Sequence, residues 1–217
     1  MAKSRPVDFI NLARLAVSIA ANWQLFYPNY VVNFTNLADF TALTQLFLAK
    51  TSANATQDIL KKDNSANLKT LLSAVRMNAP RLKEYIRDAY SINLEATYAA
   101  YGLEKSGSNY VFPSDNDRLS QRLSILLAKL KEPNNPIALR NKGLVFWQDI
   151  VTRHNREWNL SKNMKSNKAQ LSQECRNLQK EISGLLSKLF RQISLDNDKS
   201  QVASVRRTFG FLNETYK

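Results

Sequence analysis

Residues 171–193 read LSQECRNLQKEISGLLSKLFRQI, and the apolar positions in this stretch recur at steps of three and four residues. An α-helix turns once in about 3.6 residues, so this spacing places those positions on one face of a helix. The apolar stripe consists of Leu171, Cys175, Leu178, Ile182, Leu185, Leu189 and Ile193. The stretch therefore predicts a long amphipathic helix.

An earlier stretch repeats this stripe 107 residues before it. Residues 64–86 read NSANLKTLLSAVRMNAPRLKEYI, and Leu68, Leu71, Val75, Leu82 and Ile86 stand 107 positions before Cys175, Leu178, Ile182, Leu189 and Ile193. The same offset relates Pro6 to Pro113, Asp8 to Asp115, Leu12 to Leu119 and Phe40 to Trp147. So many correspondences at a single offset indicate an internal duplication.

The predicted fold class is all-α, with two helical repeat units in tandem at residues 1–110 and 111–217. Each unit is expected to be an antiparallel bundle of three to four helices: three long helices, with a short fourth helix at residues 201–207 as the alternative. The first helices are expected at about residues 5–25 and 114–132. Polar turns at residues 63–65 and 159–167 separate the second helix from the third. A kink or interruption is expected at Pro80. Short turns make consecutive helices antiparallel, and the pattern allows either two tandem bundles or one six-helix bundle with pseudo-twofold symmetry.

Each unit ends in an aromatic-Gly-hydrophobic tail, and the two tails are related by an offset of 108 rather than 107. Tyr101 and Gly102 begin the first tail, and Phe209, Gly210 and Phe211 form the second. Single glycines of this kind typically end helices. We expect the aromatic rings to fold back and plug the ends of the bundles, and the alternative is an exposed apolar patch.

The composition favours helices and a soluble protein. The 217 residues include only five Gly and six Pro, too few for the many turns of an all-β chain. The longest apolar runs are too short to cross a bilayer. A cytoplasmic location is expected, although Lys3 and Arg5 before residues 15–21 loosely resemble a degenerate secretory signal and leave export as the alternative.

Few residues suggest chemistry. His154, the single histidine, stands 107 residues after Phe47 on the apolar side of its helix, and Cys175 occupies a stripe position. Cys175 is interpreted as a small buried packing residue and His154 as a half-buried packing residue with a hydrogen-bond partner, rather than as catalytic or metal-binding groups. The chain has no Gly-rich phosphate loop and no Glu-x-x-His pair. We therefore expect neither an enzyme nor a cofactor or metal.

Basic residues are in excess, and the excess is uneven. The net charge is +13, of which residues 1–108 contribute +4 and residues 109–217 contribute +9. Around the second predicted turn the basic residues are interleaved with one tryptophan, a combination suited to phosphate contacts and base stacking. These candidate contacts are Arg153, Arg156, Trp158, Lys162, Lys165, Lys168, Arg176 and Lys180. The alternative interpretation is a solvated helix face.

Three functions follow from these patterns. The leading hypothesis is a non-enzymatic interaction or scaffolding protein that binds a protein partner or a second copy of itself. The second is a nucleic-acid-binding protein that uses the basic surface of the second repeat. The third is a helical-bundle enzyme or small-ligand binder whose site has no recognisable motif.

Overall fold

The computed structural model describes residues 8–211 and is predominantly helical. In chain order the elements are α1 (Phe9–Phe26), α2 (Leu37–Ala89), α3 (Leu94–Ala100), β1 (Glu104–Ser106), β2 (Asn109–Val111), α4 (Asn116–Leu130), α5 (Leu144–Asp196) and α6 (Lys199–Phe209). The prediction of an all-α fold class is confirmed in that the described residues are predominantly helical.

Helices α1 and α4 begin in the same way. The Asp8 carboxylate accepts a hydrogen bond from the backbone N–H of Ile10 at 3.3 Å, and the Asp115 carboxylate accepts one from that of Arg118 at 2.9 Å. Each aspartate thereby satisfies a backbone donor that a helix N-terminus leaves free. The predicted start of the first helix, at about residue 5, lies outside the described residues.

The predicted turn at residues 63–65 is wrong, because α2 continues through it for 53 residues. Asn64 is buried in the helix and bonds to α5 instead of to its own backbone, while the Ser65 hydroxyl donates to the Lys61 carbonyl at 2.8 Å. Asn and Ser disfavour helices because their side chains compete for nearby backbone groups. Here both side chains have partners that are compatible with a helix.

The prediction of a turn at residues 159–167 is also wrong, because α5 runs unbroken through it for 53 residues. The polar run contains Met164, which is only 8% exposed, so the segment has a buried position to anchor it. Tertiary burial of this kind overrides weak local preferences. Helix α2 likewise passes through Pro80 without interruption.

A β-hairpin lies at the boundary predicted between the two repeats. Strands β1 and β2 pair antiparallel with Glu104 opposite Val111 and Ser106 opposite Asn109. Gly107 lies in the turn with φ of +61°, a left-handed conformation that favours glycine. The strands are three residues each, too short for alternation to show in the sequence.

One compact unit, unit 1, contains the described residues up to Ile59 and those from Ser166 onward. Its core is formed by α1, the first part of α2, the last part of α5 and the end of α6. Phe209 stacks on Tyr27 with ring centroids 4.6 Å apart, and Trp23 lies 5.9 Å from Phe40. The stripe from Cys175 to Ile193 therefore packs against elements of the first repeat.

The second compact unit, unit 2, spans Leu60–Lys165. Its core is formed by the last part of α2, α4, the first part of α5 and the segments around the hairpin. Phe112 packs on Trp147 with ring centroids 5.7 Å apart. Like unit 1, unit 2 combines the beginning of one long helix with the end of the other, so each compact unit uses segments of both predicted repeats.

Candidate functional site

The basic set predicted on α5 is divided between the two compact units. Arg153, Arg156, Trp158, Lys162 and Lys165 belong to unit 2, whereas Lys168, Arg176 and Lys180 belong to unit 1. The sequence pattern therefore groups residues that the structure assigns to two separate bodies. Only the five residues in unit 2 can be considered together as one surface.

Several members of this set already have carboxylate partners. Arg156 contacts Glu157 at 2.7 Å, and Arg153 contacts Asp149 at 3.4 Å. The hydrogen bond from Arg156 is the main cause that lowers the pKa of Glu157. In unit 1, Lys168 donates to Asp58 at 2.6 Å and to the Asn54 carbonyl at 3.0 Å. Arg153 and Arg156 therefore pair within α5, and of these three cations only Lys168 joins α5 to α2.

Trp158, Lys162 and Lys165 form the remaining part of the basic surface in unit 2. Their spacing of four and three residues places them on one side of α5, and both lysines are exposed. The Trp158 indole N–H donates to Asp117 at 2.8 Å, and the Lys162 ammonium lies 5.7 Å from the ring centroid. The indole is thus anchored at its edge and is half-buried.

A groove of about 350 Å³ in unit 2 was not predicted from the sequence. It lies between α2 and the β2 segment, and it is lined by Arg76, Ala79, Pro80, Lys83, Tyr110, Val111, Phe112 and Ser114. One wall is a helix face and the other is a strand with the residues that follow it. The groove has the size of a small ligand site or of a short peptide segment.

Two cations and no carboxylate line this groove. The Arg76 guanidinium donates to the Ser114 hydroxyl at 2.7 Å, which holds it across the groove. A guanidinium has five N–H donors, so most of its donors stay available. Lys83 makes no ion pair with any residue between 8 and 211. In the sequence, the only indication of this groove wall is that Arg76, Pro80 and Lys83 are spaced by four and three residues, which places them on one face of a helix.

His154 and Cys175 are both fully buried. The His154 Nε2 lies 3.2 Å from the Asn116 side-chain oxygen, and its Nδ1 is buried without a hydrogen-bond partner. Burial lowers the pKa of His154 and raises the pKa of the Cys175 thiol. The half-buried position predicted for His154 is corrected to a fully buried one, equivalent to that of Phe47.

The two aromatic tails are buried within their own units. The Tyr101 hydroxyl bonds to Asn135 and lies 3.1 Å from the Tyr90 hydroxyl. Burial is the main cause that raises the pKa of Tyr101. Gly102 and Gly210 have φ of +80° and +100°, so both tails turn through a left-handed residue.

Two further features concern metals and membranes. Residues 8–211 contain no cluster of three or more His, Cys, Asp or Glu side chains suited to a metal ion. Within the same residues no helix is both long and apolar enough to cross a membrane.

Comparisons with protein-family models, with curated proteins and with solved structures gave no match for this chain.

Proposed function

We propose that this chain is a non-enzymatic protein-interaction module and that the groove between α2 and β2 in unit 2 is its binding surface. One observation carries the proposal: the groove is open, has an apolar floor and presents two cations that no lining carboxylate neutralises. Ala79 and Phe112 supply buried apolar surface, and Val111 is 39% exposed. Apolar surface next to available polar groups is typical of sites that anchor a partner.

Selection of a random dodecapeptide phage library on the immobilised full-length chain tests this proposal. Enriched peptides are expected to bind the free protein in fluorescence anisotropy and to lose binding in V111W, since the indole would fill the groove. V145W is the matched control, because Val145 is 82% exposed in unit 2 and does not line the groove. Failure to obtain any peptide that distinguishes these two variants would refute the proposal.

We also propose that the chain arose by duplication of a helical unit, with repeats at residues 1–110 and 111–217. Helices α2 and α5 support this, because both are 53 residues long and begin at Leu37 and Leu144, which are 107 positions apart. The capping residues Asp8 and Asp115 have the same separation. The groove contains residues of both proposed repeats, since its α2 wall lies in the first and Val111, Phe112 and Ser114 lie in the second.

Nucleic-acid binding is the second candidate function. The observation in its favour is the exposed row of Lys162 and Lys165 beside the half-buried ring of Trp158. Lysines neutralise phosphates, and an indole face accepts a stacked base. Its test is the salt dependence of oligonucleotide binding and the loss of that binding in K162E with K165E.

A further inference from the structure

We propose that the partner of the α2–β2 groove is an acidic peptide in extended conformation, with apolar side chains between its carboxylates. This inference rests on the proposed function and specifies the chemistry of the partner. Three features support it: the positive charge of the groove, the spacing of its two cations and the unpaired edge of β2 among the described residues.

Charge complementarity selects an acidic partner. Arg76 and Lys83 are the charged residues of the groove, and neither forms an ion pair with any described carboxylate. The nearest acid along the β2 segment is Asp115, which is occupied in capping α4. An approaching carboxylate therefore meets two cations and no carboxylate among the lining residues, and guanidinium groups bind carboxylates through paired hydrogen bonds.

The spacing of the cations suits an extended chain. Arg76 and Lys83 are seven residues apart on α2, which corresponds to about 10 Å along a helix axis. An extended peptide advances about 3.4 Å per residue, so a segment of four or five residues covers this distance. Ala79 and Pro80 lie between the two cations on the groove wall. The apolar side chains of the peptide would pack there, opposite Val111 and Phe112.

The edge of β2 opposite β1 has backbone groups available for main-chain hydrogen bonds. The sheet has two strands, so β2 pairs with β1 along one edge and has no strand at the other among residues 8–211. Within the described part of the chain, no backbone–backbone hydrogen bond outside the β1 pairing involves Tyr110, Val111 or Phe112. A peptide added at a strand edge satisfies such groups and takes its specificity from side-chain pockets.

The experiment measures binding of the full-length chain to two peptide arrays. One array has two variable apolar residues flanked on each side by Asp or Glu, and the other replaces Asp and Glu by Asn and Gln. We expect binding to the acidic array at low salt and none to the amide array. R76Q and K83Q should each weaken the best acidic peptide by about fivefold to tenfold, as expected for the loss of one charged contact.

R81Q is the matched control, because Arg81 is a cation of the same helix that pairs with Glu84 and does not line the groove. It should leave binding unchanged, and circular dichroism verifies that all variants stay folded. Equal binding to both arrays, binding to neither, or binding that R76Q with K83Q does not weaken would overturn the inference. An oligonucleotide that binds tighter than every acidic peptide and depends on Arg76 and Lys83 would also overturn it.

The two proposals fail in different ways. If phage selection yields peptides that are blocked by V111W but carry no acidic residues, the groove is a peptide site and only the acidic partner is wrong. If no peptide depends on the groove, the proposed function itself is wrong.

Discussion

The buried side-chain amide of Asn64 donates to both the backbone carbonyl and the carboxylate of Glu157, each at 3.0 Å. These bonds join α2 to α5 inside unit 2, at the place where the sequence predicts that α2 should end. A residue type that ordinarily favours a turn here links two long helices. The contact explains why local preference and the observed helix disagree.

The first prediction concerns this contact. N64L introduces the residue type found 107 positions later, at Leu171, and removes both hydrogen bonds to Glu157. Because it leaves buried polar groups with fewer partners, it should lower the free energy of unfolding by about 1–3 kcal/mol. Urea unfolding followed by circular dichroism measures the change. S65A is the control and should leave the free energy of unfolding nearly unchanged, since Ser65 is exposed and bonds only within its own helix. An equal decrease in both variants would contradict the role of Asn64.

The second prediction concerns the pH dependence of stability. Burial lowers the pKa of His154 in the folded protein, so the unfolded chain binds a proton more readily. The stability that neutral His154 contributes is present above pH 6.5 and is lost as the pH falls through the folded-state pKa. H154F, which copies the equivalent Phe47, should remove this loss and stay within about 1.5 kcal/mol of the wild type at pH 8. Unfolding measured between pH 8 and pH 5 tests this, and an unchanged pH slope in the variant would show that His154 is not the titrating group.

The third prediction uses two glycines with opposite surroundings. A Cβ at Gly102 would lie 2.3 Å from the Arg122 carbonyl oxygen, and the residue has positive φ. G102A should therefore lower the free energy of unfolding by about 2 kcal/mol or more. Gly184 lies inside α5 with open space around its Cα, so G184A should raise that free energy by up to about 1 kcal/mol. Thermal denaturation of both variants measures these changes. A G102A variant more stable than the wild type would contradict the left-handed turn at Gly102.

The fourth prediction tests the nucleic-acid alternative. If that function holds, K162E with K165E should abolish binding of a single-stranded oligonucleotide at low salt, and the logarithmic salt slope of the wild type should correspond to several phosphate contacts. Lys168 is left unchanged, because its bonds to Asp58 and Asn54 stabilise unit 1. K69E with K131E is a control of equal charge change at exposed lysines of unit 2. Absent binding, or equal losses in both double variants, would exclude a specific role for this row.

Part of the candidate site was visible in the sequence. The basic excess and the exposed lysines at 162 and 165 follow from composition and spacing. The groove was not visible, because its helix wall around Arg76 and its strand wall around Val111 are separated by more than 30 residues of chain. The hairpin that supplies the second wall consists of strands too short to produce a pattern.

The sequence by itself determined the helical class, the apolar stripes and the correspondence between residues 107 positions apart, because helical periodicity is a local property of the chain. Only the tertiary structure decided that α2 and α5 are continuous and that the stripe from Cys175 to Ile193 packs with the first helix of the chain. These outcomes depend on burial and hydrogen bonds between residues far apart in sequence, as between Asn64 and Glu157. Such contacts outweigh the local turn preferences of a few tenths of a kcal/mol per residue, and only these local preferences can be read from a single segment of sequence.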